Sequence, residues 1–380
     1  GISLSGMGAG QGSSARQGGQ IINTWVNDFR TGGITVSGSN NTVSGNNLLG
    51  NGTYGIFITS SYNAVTGNTA QGNAGDGIYL SGSTNNNITG NVSEGNSGSG
   101  IVLTGSNFNT ISGNIARDNT STGIRLTSAS NSNTINGNST ENNNFGIFAN
   151  TSDNNIISGN SAEANTSAGF ILTTASNNAV TGNMSLSASF GISIETSSNR
   201  NTVSGNTFKA NNYNGIRILT SSNYNIIGNN TIEASIQIAS DNNNISGNVI
   251  YDSGGSTTNE GIQAISGSYN LITSNIITDS GCTTNCYAIN ISDSGSNKNY
   301  LEANKFSGST ANAASINDAG TGTIYAGQQT NTTTSTLGDV SDFRFRGSAN
   351  STTAFAVQNA SGVSILNIDT TNGEVEVGNT

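Results

Sequence analysis

Along most of the chain, apolar residues fall two apart and then give way to Asn, Ser, Thr and Gly. Residues 77–91 read GIYLSGSTNNNITGN: Ile78 and Leu80 alternate with Tyr79, a polar turn follows, and Ile88 precedes Gly90-Asn91. Alternation over so few residues is strand spacing rather than helix spacing. The unit returns about every twenty-three residues, the signature of a stacked repeat. Gly-Ile pairs place Ile34, Ile56, Ile78, Ile101, Ile124, Ile147, Ile192, Ile216 and Ile262 in step, with Phe170 replacing one and Ser235-Ile236 and Ala288-Ile289 as weaker copies. Gly-Asn pairs keep the same phase at Asn46, Asn68, Asn91, Asn114, Asn138, Asn160, Asn183, Asn206, Asn229 and Asn248, with degenerate copies at Asn275 and Asn304. Three short strands per unit describe one coil of a parallel β-helix, and about twelve coils at ~4.8 Å each give a rod ~58 Å long.

The spacing also sorts residues into columns. Val43, Val65, Ile88, Ile111, Ile135, Val180 and Val203 are predicted to stack inside the rod with the Ile and Leu of the Gly-Ile strands. Asn tolerates left-handed backbone at a corner and bonds neighbouring amides, so stacked Asn continues the backbone bonding as a side-chain ladder. Asn51, Asn73, Asn96, Asn119, Asn143 and Asn165 form such a column, each five residues after the Gly-Asn Asn. The middle residue of each Gly-Ile strand points outward: Thr35, Phe57, Tyr79, Val102, Arg125, Phe148, Ile171, Ser193, Arg217 and Gln237. The next outward column, Ser37, Thr59, Ser81, Thr104, Thr127, Asn150 and Thr173, is polar. The contrast marks Phe57, Tyr79, Val102, Arg125, Phe148 and Ile171 as a binding or interface stripe, for a second protomer, a covering segment or a glycan. A further column, Glu94, Arg117, Glu141, Glu163, Leu186 and Lys209, pairs charges one coil apart and serves solubility and register.

Carboxylates gather later. NVIYDSGG (248–255) and NIITDSGC (275–282) align without a gap and set Asp252 on Asp279, with Glu233 one coil below in one of two alignments of GNNTIEAS that differ by one residue. Carboxylates stacked ~5 Å apart repel unless one is protonated or a cation lies between them. Asp252, Asp279 and Glu233 are therefore a weak Ca²⁺ candidate, and Asp252 and Asp279 with Glu260 are the acid/base candidates if the chain is an enzyme. Asp before Ser-Gly is equally a turn former. Cys282 and Cys286, the two cysteines, sit close enough in CTTNC for a small-loop disulfide under oxidising conditions.

Composition narrows the function classes. The chain of 380 residues has 51 Gly, no Pro and no His, and charged residues make up 8%. Proline cannot donate to a continuous ladder, so its absence suits an extended β architecture. A net charge of −10 offers no basic stripe for nucleic acid. No apolar run approaches the ~18 residues that a membrane-spanning helix needs.

These repeats resemble the parallel β-helix repeats of the pectate-lyase-like superfamily, above all the Asn-rich NNxIxGN version in NosD-like periplasmic and secreted surface proteins. The resemblance covers residues 21 to about 310 and implies a right-handed coil. Such coils serve lyases, hydrolases, tailspikes, adhesins and stalks, so it fixes the fold more than the activity. NosD-like proteins are linked with copper-site maturation, but a chain with no His and two Met offers few ligands for copper, and no cofactor beyond the Ca²⁺ candidate is expected. Near the other end, TAFAVQNASGVSILNIDTTNGEVEVGN resembles strand modules of phage tail fibres and large bacterial surface proteins, which implies intertwined trimers. Its strands break at Asn359–Gly362 and at Asn372-Gly373, the latter a good hairpin turn.

The expected fold is all-β: a right-handed parallel β-helix of about twelve coils with a small C-terminal β-meander. Residues 1–20 are a partial coil, GISLSG, and a Gly/Ser-rich lead-in, as in a processed product or an excerpt. Residues 21–319 are the β-helix, 320–340 a linker, and 341–380 a capping or oligomerising meander. The leading functional expectation is a non-enzymatic extracellular rod, structural or adhesive, in a cell-surface or virion fibre. It binds homo-oligomer or filament neighbours or a glycan, without nucleic acid or membrane insertion. A polysaccharide lyase or hydrolase using the loop carboxylates is the alternative, and an end-to-end filament subunit the second alternative.

Overall fold

Each repeat folds into three short strands, and each strand lies parallel to its counterpart one coil on. In one coil these are Ile78–Ser81, Asn87–Thr89 and Val92–Glu94; in the next, Ile101–Thr104, Thr110–Ser112 and Ile115–Arg117. Equivalent residues pair directly, Ile78 with Ile101 and Ile88 with Ile111, so identical side chains stack along the axis. The computed structural model describes residues 1–4, 18–219, 221–251, 260–279, 287–308, 316–326, 355–358, 364–369 and 374–377. Within them the first and second sheets have 14 strands each and the third has 13, all parallel.

The coil continues slightly beyond the expected span. Ile2–Leu4 pairs with Ile34–Val36, which makes GISLSG the first rung. At the other end Ile324–Ala326 pairs with Tyr300–Glu302, so the expected linker from residue 320 begins inside the second sheet. The chain separates into two compact units, Gly1–Gly338 and Asp339–Thr380. In the second, Phe355–Gln358, Ser364–Asp369 and Glu374–Val377 form an antiparallel three-stranded sheet in meander order. The turns expected at Asn359–Gly362 and Asn372-Gly373 lie outside the described residues.

Two forces hold the rod. Inside is an unbroken file of Ile, Leu and Val with Phe170 and Phe208; burying each such side chain contributes about 1.5–3 kcal/mol before chain entropy is subtracted. The third sheet lines this file with smaller residues, Ala70, Ser93, Ala116, Thr140, Ala162 and Ser185, all buried. The glycine of each Gly-Ile pair approaches this sheet closely, both at these small residues and at Leu48, Phe208 and Ile232 in other coils. A Cβ on Gly100 would lie 2.8 Å from the Ala116 Cβ and 2.6 Å from the Gly123 carbonyl oxygen.

At the corners, three Asn columns run along the axis. Asn91 shows the pattern: its backbone N–H and its Nδ2 both donate to Oδ1 of Asn114, at 2.9 and 3.0 Å, and Nδ2 also donates to the Val65 carbonyl at 2.8 Å. The column predicted from Asn51 to Asn165 bonds in the same way. A third column, from Asn41 through Asn299, precedes each second-sheet strand. Buried amides cost free energy unless bonded, and these satisfy one another.

One repeat departs from the sequence alignment. Gly228 ends the strand Ile226–Gly228, Asn229 takes the left-handed corner (φ 55°), and Asn230, not Asn229, joins the ladder. Asn enters left-handed geometry readily, so Asn229 fills the slot that Gly205 holds one coil earlier.

Candidate functional site

The outward column of the first sheet is in register from Thr35 through Phe57, Tyr79, Val102, Arg125, Phe148, Ile171, Ser193 and Arg217 to Gln237. It is more covered than alternation predicts: Val102 is 4% and Ile171 8% exposed, while Phe57, Tyr79, Arg125 and Phe148 are half-buried. The cause is the Gly-Ile pair. Both of its residues face inward, so the residue before Gly and the residue after Ile lie together on the outside. Tyr54, Asp76, Phe145 and Phe190 thereby pack against the stripe.

The contacts form three groups along one strip. Near the first, Tyr54 stacks on Phe57 and Tyr79 with centroids 5.2 and 4.8 Å apart, and Phe57 stacks on Tyr79 at 5.5 Å. Asp76 accepts the Ser99 backbone N–H at 2.7 Å. Burial holds its carboxyl above the usual range, opposed by that bond and by Arg125. In the middle, Phe145 touches Phe148 (5.4 Å), and the Arg125 guanidinium lies 6.0 Å from the Phe148 ring centre. Farther on, Arg217 lies 3.7 Å over the Phe190 ring, its Nε donates to Ser193 Oγ at 3.0 Å, and Ser193 donates to Glu195 Oε1 at 3.0 Å. Burial draws the Arg217 pKa down and Glu195 partly restores it.

Glu260 lies at the same pre-glycine position farther along. Its Oε1 accepts from the Asn290 amide, while its Oε2 is buried without a partner. Burial raises its pKa, against the hydrogen bonds from Asn290 and Gln263. Burial disfavours the charged form of such a carboxyl, the direction in which general acids are shifted.

The other sequence candidates separate. Glu233 pairs with Tyr251, and Tyr251 with Thr278. Asp279 instead pairs with Gly308, so Glu233 is one position away from the Asp279 column. Glu233 is therefore out of register with Asp279. The one-residue shift at Asn229/Asn230 is the reason: counted from Asn230, Glu233 belongs with Glu94, Arg117, Glu141 and Glu163. In that column Arg117 Nη2 meets Glu94 Oε2 at 2.9 Å. Asp252, Cys282 and Cys286 lie outside the described residues, as does the side chain of Asp279. Among the described residues, no three His, Cys, Asp or Glu side chains cluster to hold a metal ion.

Sequence reasoning missed Tyr54, Asp76, Phe145, Phe190 and Glu195. The readable signal was the residue before each Gly-Ile pair. It also missed a set of exposed aromatics immediately before the third Asn column: Tyr62, Phe108, Tyr224 and Tyr269.

Comparison with known proteins agrees with the fold. Residues 7–144 match the family described as periplasmic copper-binding protein (NosD), and residues 109–232 match the right-handed β-helix region. No curated protein matches. Among solved structures, DFA-IIIase from Arthrobacter chlorophenolicus A6 without its lid, in complex with GF2, is 12% identical with a TM-score of 0.57, covering 82% of this chain and 91% of that one. The same enzyme in complex with DFA-III is 12% identical with a TM-score of 0.53, covering 78% and 87%. The Dettilon tailspike protein (gp208) is 16% identical with a TM-score of 0.44, covering 81% and 60%. The chain is thus a right-handed parallel β-helix, NosD-like in its repeats.

Proposed function

We propose that this chain is a rigid β-helical rod of an extracellular surface or phage-type fibre, adhering to glycans or neighbouring chains through the outward strip of its first sheet. The observation that supports this best is continuity. Asn ladders and three sheets pass from coil to coil without a helix or an interrupting domain among the described residues. Such a stack resists bending and presents the same face at every rung. The match to a periplasmic family favours a location outside the cytoplasm, and in this reading the meander beyond residue 340 would register the chains of a trimer. The test is a double variant, Tyr79→Ser with Phe148→Ser, read by solution mass and by retention on immobilised glycans. Assembly or retention should fall while circular dichroism stays unchanged. Unaltered mass and retention would refute the strip as a contact surface.

A second reading, a glycan hydrolase, is favoured by one observation: the half-buried Glu260 carboxyl with an unpartnered oxygen and a raised pKa. The enzyme likeness among solved structures fits it through the fold alone. Release of reducing ends from a polysaccharide panel, abolished by Glu260→Gln, would establish it. No release by the wild-type chain would exclude it.

A further inference from the structure

One outer corner of the rod runs against the conformational preferences of its residues. Two positions before each second-sheet strand the backbone turns left-handed, and strand register sets these positions in one column. Asn85, Asn154, Asn177 and Asn242 occupy it at φ 56–59°, a region that Asn enters easily. Tyr62, Phe108, Tyr224 and Tyr269 occupy it at φ 57–62°, although bulky side chains resist it. They recover little by burial, being 62, 62, 55 and 54% exposed. Strain without burial at an exposed ring is a signature of function.

Five consecutive coils of this column read Arg200, Tyr224, Asn242, Tyr269 and Lys298. The Arg200 guanidinium lies over the Tyr224 ring at 5.7 Å, and the Lys298 ammonium over the Tyr269 ring at 5.5 Å. Each cation comes from the coil on the side of its tyrosine away from Asn242. Cation–π contact of this kind also fixes ring orientation. The two tyrosine positions are two coils apart, ~9.6 Å, with the small polar Asn242 between them.

We propose that Tyr224 and Tyr269 form a clamp for one pyranose ring of a glycan, a chain end or a branch, with the Asn242 amide as its polar floor. A gap of two coils leaves ~4.8 Å on each side of a guest. That is wide for a flat aromatic guest, which stacks more closely, and suits a puckered saturated ring whose C–H faces lie on the tyrosines. Hydroxyls at the ring edge are matched by the Asn242 amide. Single-stranded nucleic acid also stacks on aromatic rings but needs a basic groove, which a chain of net charge −10 does not provide. Beside the slot, Asp241 accepts the Ser268 N–H at 2.7 Å and adds a negative charge of its own. A second protein copy would need ~800 Å² per partner, far more than isolated rings separated by polar positions supply. This site lies on a different face from the first-sheet strip and does not rest on its role.

The test uses the full chain on an array of immobilised glycans that covers the common pyranoses. The wild type is expected to bind a subset sharing one terminal or branch sugar, and the free methyl glycoside of that sugar should compete. Tyr224→Asn with Tyr269→Asn should weaken binding at least about tenfold without lowering the thermal midpoint, because Asn already serves this column at the same φ. Asn242→Tyr should abolish binding by filling the slot, since the column accepts Tyr elsewhere. The clamp is overturned by an array with no bound glycan, by undiminished binding in the double variant, or by stronger binding in Asn242→Tyr, which would mark a general aromatic surface. A lowered midpoint in the double variant would make the rings structural, and a fall in solution mass would make them a protein interface; either overturns the proposal.

Discussion

Replacing Asn114 by Ala tests the ladder where its bonding is complete. The Asn114 side chain takes part in four hydrogen bonds. Its Oδ1 accepts the Asn91 backbone N–H (2.9 Å) and the Asn91 amide (3.0 Å), and its Nδ2 donates to the Ile88 carbonyl (2.8 Å) and to Asn138 Oδ1 (3.0 Å). Alanine removes all four and leaves the buried Asn91 N–H without its acceptor. An orphaned buried donor costs ~1–3 kcal/mol and each ordinary bond contributes ~0.5–1.5 kcal/mol. Relief from burying an amide offsets part of this, so the expected loss is on the order of 3 kcal/mol. Asn87→Ala, at an exposed position in the preceding coil, should change stability by less than about 0.5 kcal/mol. A stack of repeats opens locally, so urea midpoints should be paired with hydrogen exchange coil by coil. Protection should fall at Asn91 and the adjoining coils and hold near Asn201. A loss below about 1 kcal/mol, or one spread evenly along the rod, would refute the view that each rung is locked by its own amides. Asn114→Asp sharpens the point: it keeps an acceptor for Asn91 but sets oxygen against the Ile88 and Asn138 oxygens. Burial would raise the folded-state pKa of the new carboxyl above its unfolded value, so the variant should lose stability as pH rises through that folded pKa.

Gly100→Ala should destabilise by about 1–3 kcal/mol through overpacking, because the new Cβ meets Ala116, the Gly123 carbonyl and the Asn119 amide, none of which can yield; thermal unfolding reads the loss, and a neutral result would mean that the third sheet can shift outward. For Glu260, the folded-state pKa lies above the unfolded value, so its contribution is fully present below the unfolded pKa and is lost as pH rises through the folded one. Glu260→Gln should therefore gain on the wild type in thermal midpoint as pH rises across that window, and a difference independent of pH would show that the carboxyl ionises freely.

The period, the interior file and the ladder from Asn51 to Asn165 were legible because each rests on a two-residue or one-coil spacing that the sequence displays directly. Residues that obey neither spacing were not. Tyr54, Asp76 and Phe190 fall on the strip only because Gly and Ile turn inward together, which simple alternation forbids. The register of Glu233 stayed open by one position because a Gly-Asn pair at 228–229 looks identical to its neighbours, while the left-handed turn had moved to Asn229. Tyr224 and Tyr269 stand in a corner where Asn is the common choice, so their register shows only once the backbone angles are known.

The ladders also give the rod a direction. In the Asn-to-Asn bonds of each column the donor belongs to the earlier coil and the acceptor to the later one, as from Asn41 toward Asn299. Backbone groups in a sheet alternate and largely cancel, but these side-chain amides align and their dipoles add along the axis. Where a transverse cut breaks the Asn–Asn bonds it exposes amide oxygen on the face toward residue 1 and N–H groups on the face toward residue 326, although the Nδ2 bonds to backbone carbonyls such as Val65 and Ile88 run the other way. Two such rods meeting end to end match donors to acceptors head to tail and oppose like groups head to head, so axial association of this fold favours polar, one-way growth.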